Sequence, residues 1–300
     1  MNSKKMTIIR LVIFYTLAIL PLIIVTPIFS DLLGEPLYTG KAAGNALNTM
    51  WGIIGMCCPA IANVLTRIIT REGLKDSYLK LDMQKGRWKY YLLAFVIPLC
   101  YMIISAFLIL QIFYSDVEPW FTTEDVAMKF WAYFSQIGTT LLLLLPFFGE
   151  EFGWRAYLTP KLEELMPTPA ALIVSGILWG LWHAPLTVQG HNFGIDYPGF
   201  PYLGILLMCV MCISLGTILT FLTKRTQSVF PAAIMHGINN QMGLGIFLML
   251  FGSEQLIAQI ESINHPKYFS PLLVTIALFG AVCFIILTRD YLKEKKIKSE

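Results

Sequence analysis

Apolar positions in this chain come in long unbroken blocks, not in the alternating pattern of strands or the one-sided pattern of surface helices. A helix rises 1.5 Å per residue and needs about 20 mainly apolar residues to cross a bilayer core. About eight blocks meet that length, at residues 7–29, 46–70, 90–113, 128–158, 170–189, 200–223, 229–252 and 271–289. Only helices or closed barrels satisfy their backbone polar groups in lipid, and runs this long fit helices. The expected fold is therefore all-α: a polytopic integral membrane protein of about eight transmembrane helices. It reads as a single membrane domain over residues 1–300. The longest polar stretch, around 71–89, is too short to bury a core of its own. The fourth block exceeds what a bilayer requires, so it tilts, kinks or runs on past the membrane. The Gly- and Pro-rich segment from Gly190 to Gly199 reads as an ordered loop.

Charge gives these blocks a direction. Basic residues cluster at Lys4-Lys5, from Arg67 to Lys89, at Lys224-Arg225 and from Lys293 to Lys298. The intervening loops are acidic, with Asp31 and Glu35 in one and Asp116, Glu118, Glu124 and Asp125 in another. The positive-inside rule puts the basic segments, and with them both termini, on the cytoplasmic side. An even number of spans satisfies every loop. The first block lacks a small-residue cleavage site behind it and reads as a retained span. The chain is 56% hydrophobic and 14% charged, with a mean hydropathy of +0.64. A soluble protein carries about a quarter charged residues, so a globular enzyme is excluded. The basic clusters are membrane flanks, which argues against a nucleic-acid partner. All six cysteines fall in apolar blocks, and Cys209-x-x-Cys212 has no second pair to make a zinc framework.

Against this background Glu150-Glu151-Phe152-Gly153-Trp154-Arg155 stands out, directly after Leu141–Leu145 and Pro146-Phe147-Phe148. Each charge near the bilayer centre costs roughly 2.5–3.5 kcal/mol on insertion scales, so three together require a purpose. On a helix Glu151 and Arg155 stand four apart with the acid first, the favourable order for an ion pair. Glu150 points about 100° away and is left unneutralised. A lone carboxylate in a dry site suits a general base or a ligand. Two histidines also lie inside blocks, His183 and His236, whereas His191 and His265 fall in predicted loops. His236 and Asn240 share one helical face. Counted from the cytoplasmic ends, Glu150 lies roughly 12 Å deep, His183 about 20 Å and His236 about 10 Å. Tilt can bring them to one level in the cytoplasmic half.

These residues resemble the three signature motifs of the CPBP family, the CAAX protease and bacteriocin-processing (Abi) intramembrane proteases. The motifs are Glu150-Glu151-x-x-x-Arg155, the aromatic-x-x-x-His ending at His183, and His236-x-x-x-Asn240. The resemblance covers residues 145–245. Trp179 stands where the second motif often has Phe, a conservative change expected not to touch the chemistry. The resemblance implies an eight-helix endopeptidase acting on a membrane-associated, lipidated or leader-bearing peptide or protein. By its motifs, Glu150 and His183 activate water, His236 and Asn240 stabilise the oxyanion, and Glu151–Arg155 is a structural ion pair. Whether the enzyme is of metallo- or glutamate type stays open: Glu150, His183 and His236 are a conceivable zinc set, but no His-Glu-x-x-His helix is present. The rival expectations are a non-catalytic immunity or scaffold protein of the same family, as in bacteriocin self-immunity, and a proton-coupled transporter. No paired halves with broken helices speak for the transporter. Oligomeric state is not legible.

Overall fold

The computed structural model describes residues 3–113, 135, 138–139, 141, 144–251 and 266–300. The described residues form helices and loops with no strand, in line with the all-α expectation. Helices α1 (Ser3–Leu33), α2 (Ala46–Ile69) and α3 (Trp88–Phe113) come first. The motif helix α4 (Leu144–Gly153) continues through one π-helical turn (Trp154–Leu158) into α5 (Thr159–Glu163). Then follow α6 (Thr168–Trp182), the short α7 (Ala184–Thr187), α8 (Tyr202–Thr226), α9 (Phe230–Phe251) and α10 (Pro266–Ser299). Five described helices are long and apolar enough to span a membrane: α1, α2, α3, α8 and α10.

The remaining three predicted blocks carry the motifs, and the fourth and fifth depart from plain spans. Of the fourth, residues 128–134, 136–137, 140 and 142–143 lie outside the described residues. The fifth does not run helically from 170 to 189. Helix α6 stops at Trp182, and His183 is its C-cap. Pro185 has no N–H to give the carbonyl one turn back, so the ladder breaks there. At 15 residues, α6 is about 22 Å long, short of a bilayer core. The seventh block is the helix α9, Phe230–Phe251.

Helix α2 illustrates how these helices sort their faces. It buries Asn48, Trp51, Gly55, Cys58, Pro59, Ala62, Asn63, Thr66 and Arg67, a stripe at helical spacing. Its opposite face exposes Ile53, Ile54, Ile61, Leu65 and Ile68. Polar groups inward and aliphatics outward is the arrangement lipid demands. Asn45 starts the helix by accepting a hydrogen bond from the Leu47 N–H at 2.8 Å.

Two pairs of glycines set the distances between helices. A Cβ on Gly149 would sit 2.8 Å from the Met56 carbonyl oxygen, and one on Gly153 would sit 2.3 Å from Pro59. On α6, a Cβ on Gly176 would lie 2.3 Å from the Ile213 Cα, and one on Gly180 2.5 Å from that of Cys209. Each pair is a Gly-x-x-x-Gly face that lets backbones touch, the packing mode available when lipid supplies no hydrophobic drive. One clamps α4 on α2, the other α6 on α8, and the motif residues ride on the clamped helices.

The two ends of the bundle differ. At one end, ion pairs stitch the helices together: Lys161–Glu72 at 2.6 Å, Lys224–Glu163 at 2.5 Å and Arg225–Asp290 at 2.6 Å. Glu72 also accepts from the Tyr157 hydroxyl at 3.0 Å and faces Arg10 at 3.4 Å. Burial pushes the Glu72 carboxyl up, but Lys161, Tyr157 and Arg10 together hold it below the usual carboxylate range. At the opposite end, the loops around 34–45 and 188–201 lock together through Tyr38 N–H to the Gln189 carbonyl at 3.0 Å.

Candidate active site

The first motif lies where α4 gives way to the π turn. Such a turn shifts the hydrogen-bond ladder by one residue and recurs at functional sites. Side chains take over the carbonyls it unsettles: Asn63 Nδ2 donates to the Phe152 carbonyl at 2.7 Å, and Thr159 Oγ1 to that of Trp154 at 3.1 Å. Arg67 Nε donates in turn to Asn63 Oδ1 at 2.8 Å. The geometry around the two glutamates is thus held from α2.

Glu151 is fully buried and has two partners. Its Oε2 lies 3.1 Å from Arg155 Nε, the ion pair expected from spacing. Those two atoms are not aligned as donor and acceptor, so the attraction is Coulombic in character. Its Oε1 accepts from His236 Nδ1–H at 2.8 Å. The sequence reading gave Glu151 to Arg155 alone; the fold adds His236, because α9 passes beside α4. His236 Nε2 accepts from Asn240 Nδ2 at 3.3 Å, the four-residue pair foreseen. The chain continues beyond the motifs: Asn239 Nδ2 donates to Asn240 Oδ1 at 3.0 Å, and the Tyr101 hydroxyl to Asn239 Oδ1 at 2.5 Å. Five links therefore run from Tyr101 on α3 to Arg155. Asn239 is buried in this relay, whereas Asn240 is exposed.

Glu150 is only 2% exposed, so the acid does not face lipid. Its one hydrogen bond among the described residues comes from Trp179 Nε1–H to Oε2, at 2.9 Å. Trp179, expected as a conservative replacement of Phe, thus contacts the candidate acid directly. A Phe could not make this bond, since only the indole carries a donor. The same indole ring takes the Arg155 guanidinium on its face at 4.0 Å and packs 5.6 Å from the His236 ring.

His183 is buried beside it, its Nδ1–H donating to the Trp179 carbonyl at 2.9 Å. That bond fixes the tautomer and leaves the lone pair on Nε2. No direct bond joins Glu150 to His183 among the described residues; Trp179 stands between them. Against His183 lies His191, rings parallel at 5.8 Å, and against His191 lies Tyr38 at 4.7 Å. Burial lowers His191 to about 4, so its imidazole is neutral at physiological pH. Burial, with nearby Glu150 second, raises Tyr38 to about 12. The sequence reading left His191 in a remote loop, and no local pattern marks it, since the contact is made only in three dimensions. Through His191, His183 also meets the loop that follows its own helix.

The donor set does not form a three-ligand cradle for zinc. Among the described residues, no three His, Cys, Asp or Glu side chains converge as metal ligands do. His236 has both ring nitrogens occupied, by Glu151 and Asn240.

Taken together, the fold and this centre define an all-α integral membrane protein with an acid and two imidazoles sequestered among its helices. Comparison with known proteins agrees with the motif resemblance. The family described as "Type II CAAX prenyl endopeptidase Rce1-like" matches residues 133–242, which hold all three motifs. A "CAAX prenyl protease 2" of Methanococcus maripaludis is 31% identical over 100 residues. That alignment covers 33% of this chain, and the chain spans 37% of the length of that relative. Both similarities thus lie over the stretch that carries the motif helices.

Proposed function

We propose that this protein is an intramembrane endopeptidase using Glu150 and His183 to activate water. The observation that carries this reading is the partnering of Glu150. It is a buried carboxylate held by a neutral indole N–H, next to a second carboxylate that takes Arg155 and the His236 imidazole as its partners. The Rce1-like match over the same helices supports it.

The mechanism follows from the residue chemistry. Glu150 takes a proton from water as its oxygen attacks the scissile carbonyl carbon, oriented by the His183 Nε2 lone pair. The carbonyl electron pair moves onto oxygen. Asn240 Nδ2–H donates to that oxyanion; so does His236, which enters the step already doubly protonated against Glu151 and turns its Nε2–H from Asn240 to the oxyanion. Collapse breaks the C–N bond, and the proton on Glu150 passes to the leaving amine. The substrate class is a peptide or protein tail presented at the membrane, with a lipid-bearing C-terminus the first to try.

The test uses purified protein in nanodiscs, with quenched-fluorescent peptides bearing or lacking a prenylated cysteine. Cleavage by the wild type and its loss in Glu150→Gln is the expected result. Equal turnover by both proteins would end the reading. Turnover unchanged by 1,10-phenanthroline is expected of a glutamate-type enzyme.

A further inference from the structure

One residue that joins the parts of the centre is neither an acid nor an imidazole. Trp179 donates its indole N–H to Glu150, covers Arg155 with its face, packs against His236, and accepts from His183 through its carbonyl. It is 2% exposed. Its position is set by the backbone, since Gly176 and Gly180 seat α6 directly on α8 on either side of it in sequence.

A glutamate carboxyl turns easily about its last torsion, whose minima are broad. A single rigid donor on one oxygen removes that freedom. An indole N–H is well suited, because it donates only and cannot accept the proton that Glu150 must take from water. Stacking with Arg155 holds the ring against rotation, a contact worth more when desolvated. The bond to Glu150 and the stack on Arg155 place one ring between the acid left for chemistry and the ion pair that neutralises the other.

We propose that Trp179 is a positioning residue of the reaction centre: its indole N–H fixes the Glu150 carboxyl plane through Oε2, leaving Oε1 to meet the water. This rests on the water-activating reading of Glu150. The decisive variant replaces Trp179 with β-(3-benzothienyl)alanine, which keeps the bicyclic ring and its stacking but exchanges N–H for sulfur. Trp179→Phe is the coarser companion. In the nanodisc assay the benzothienylalanine protein is expected to lose about 10- to 100-fold in kcat, the scale of a misplaced reacting group, with KM within about twofold. An unchanged kcat, or a rise in KM alone, overturns the inference. A readout free of turnover is the 15N–1H indole resonance that Trp179→Phe removes. It should move in Glu150→Ala, and a stationary resonance also overturns the inference. An inactive wild-type protein would overturn the proposed function and this role together, whereas an active one with an indifferent benzothienylalanine variant overturns this role alone.

Discussion

Glu150 and Glu151 are neighbours in sequence, of the same chemistry and almost equally buried, yet the fold treats them in opposite ways. Glu151 is surrounded by cationic or cation-forming groups, Arg155 on one oxygen and His236 on the other. Glu150 receives one neutral N–H. The difference comes from the 100° step between adjacent helical residues, which turns one acid toward α9 and its own next turn and the other toward α6. Two identical side chains thus receive opposite kinds of partner with no change in residue type.

The contrast can be attacked from several sides. Glu150→Gln keeps the shape and an acceptor for Trp179, so turnover should fall by about 10²- to 10⁴-fold, the usual contribution of a general base, while the melting temperature hardly moves. Arg155→Ala should act the other way round. It strips Glu151 of its cation and leaves a buried charge poorly compensated, costing about 3–5 kcal/mol, read as a lower melting temperature in nanodiscs. Gly176→Ala probes the clamp that carries Trp179. The added Cβ would meet the Ile213 backbone, and overpacking of this kind costs about 1–3 kcal/mol. Gly52→Ala, with open space around it, is the control and should be neutral or slightly stabilising. The smallest effect belongs to Glu72 at the basic end. Its carboxyl is held below the ordinary range when folded, so its contribution is complete above the unfolded value near about pH 4.3. That contribution fades as pH falls through the folded value. Melting temperature followed from pH 6 down to about 3 should decline less steeply in Glu72→Gln than in the wild type.

Much of this centre was legible because helical spacing is local. Glu151–Arg155 and His236–Asn240 are both four-residue pairs, and both are made. What crosses between helices was not legible. The Glu151–His236 bond depends on how α9 passes α4, and the His183–His191 stack depends on a loop folding back over a helix end. Pro185 did announce that the fifth block breaks, but a hydropathy window averages over it. Gly149-x-x-x-Gly153 and Gly176-x-x-x-Gly180 are helix-packing signals in the sequence, but spacing alone does not say which helix each one meets. At position 179 a Phe would share the aromatic ring but lack the N–H, and what that N–H meets is set only by the packing of α6 on α4.

The most direct measurement sets Glu150→Gln beside Glu151→Gln, with turnover and melting temperature recorded on the same nanodisc samples. The division of labour predicts a crossed pattern: Glu150→Gln loses cleavage and keeps its melting temperature, and Glu151→Gln loses melting temperature by several degrees. Full cleavage by Glu150→Gln, or a melting-temperature loss in Glu150→Gln as large as that in Glu151→Gln, would contradict it.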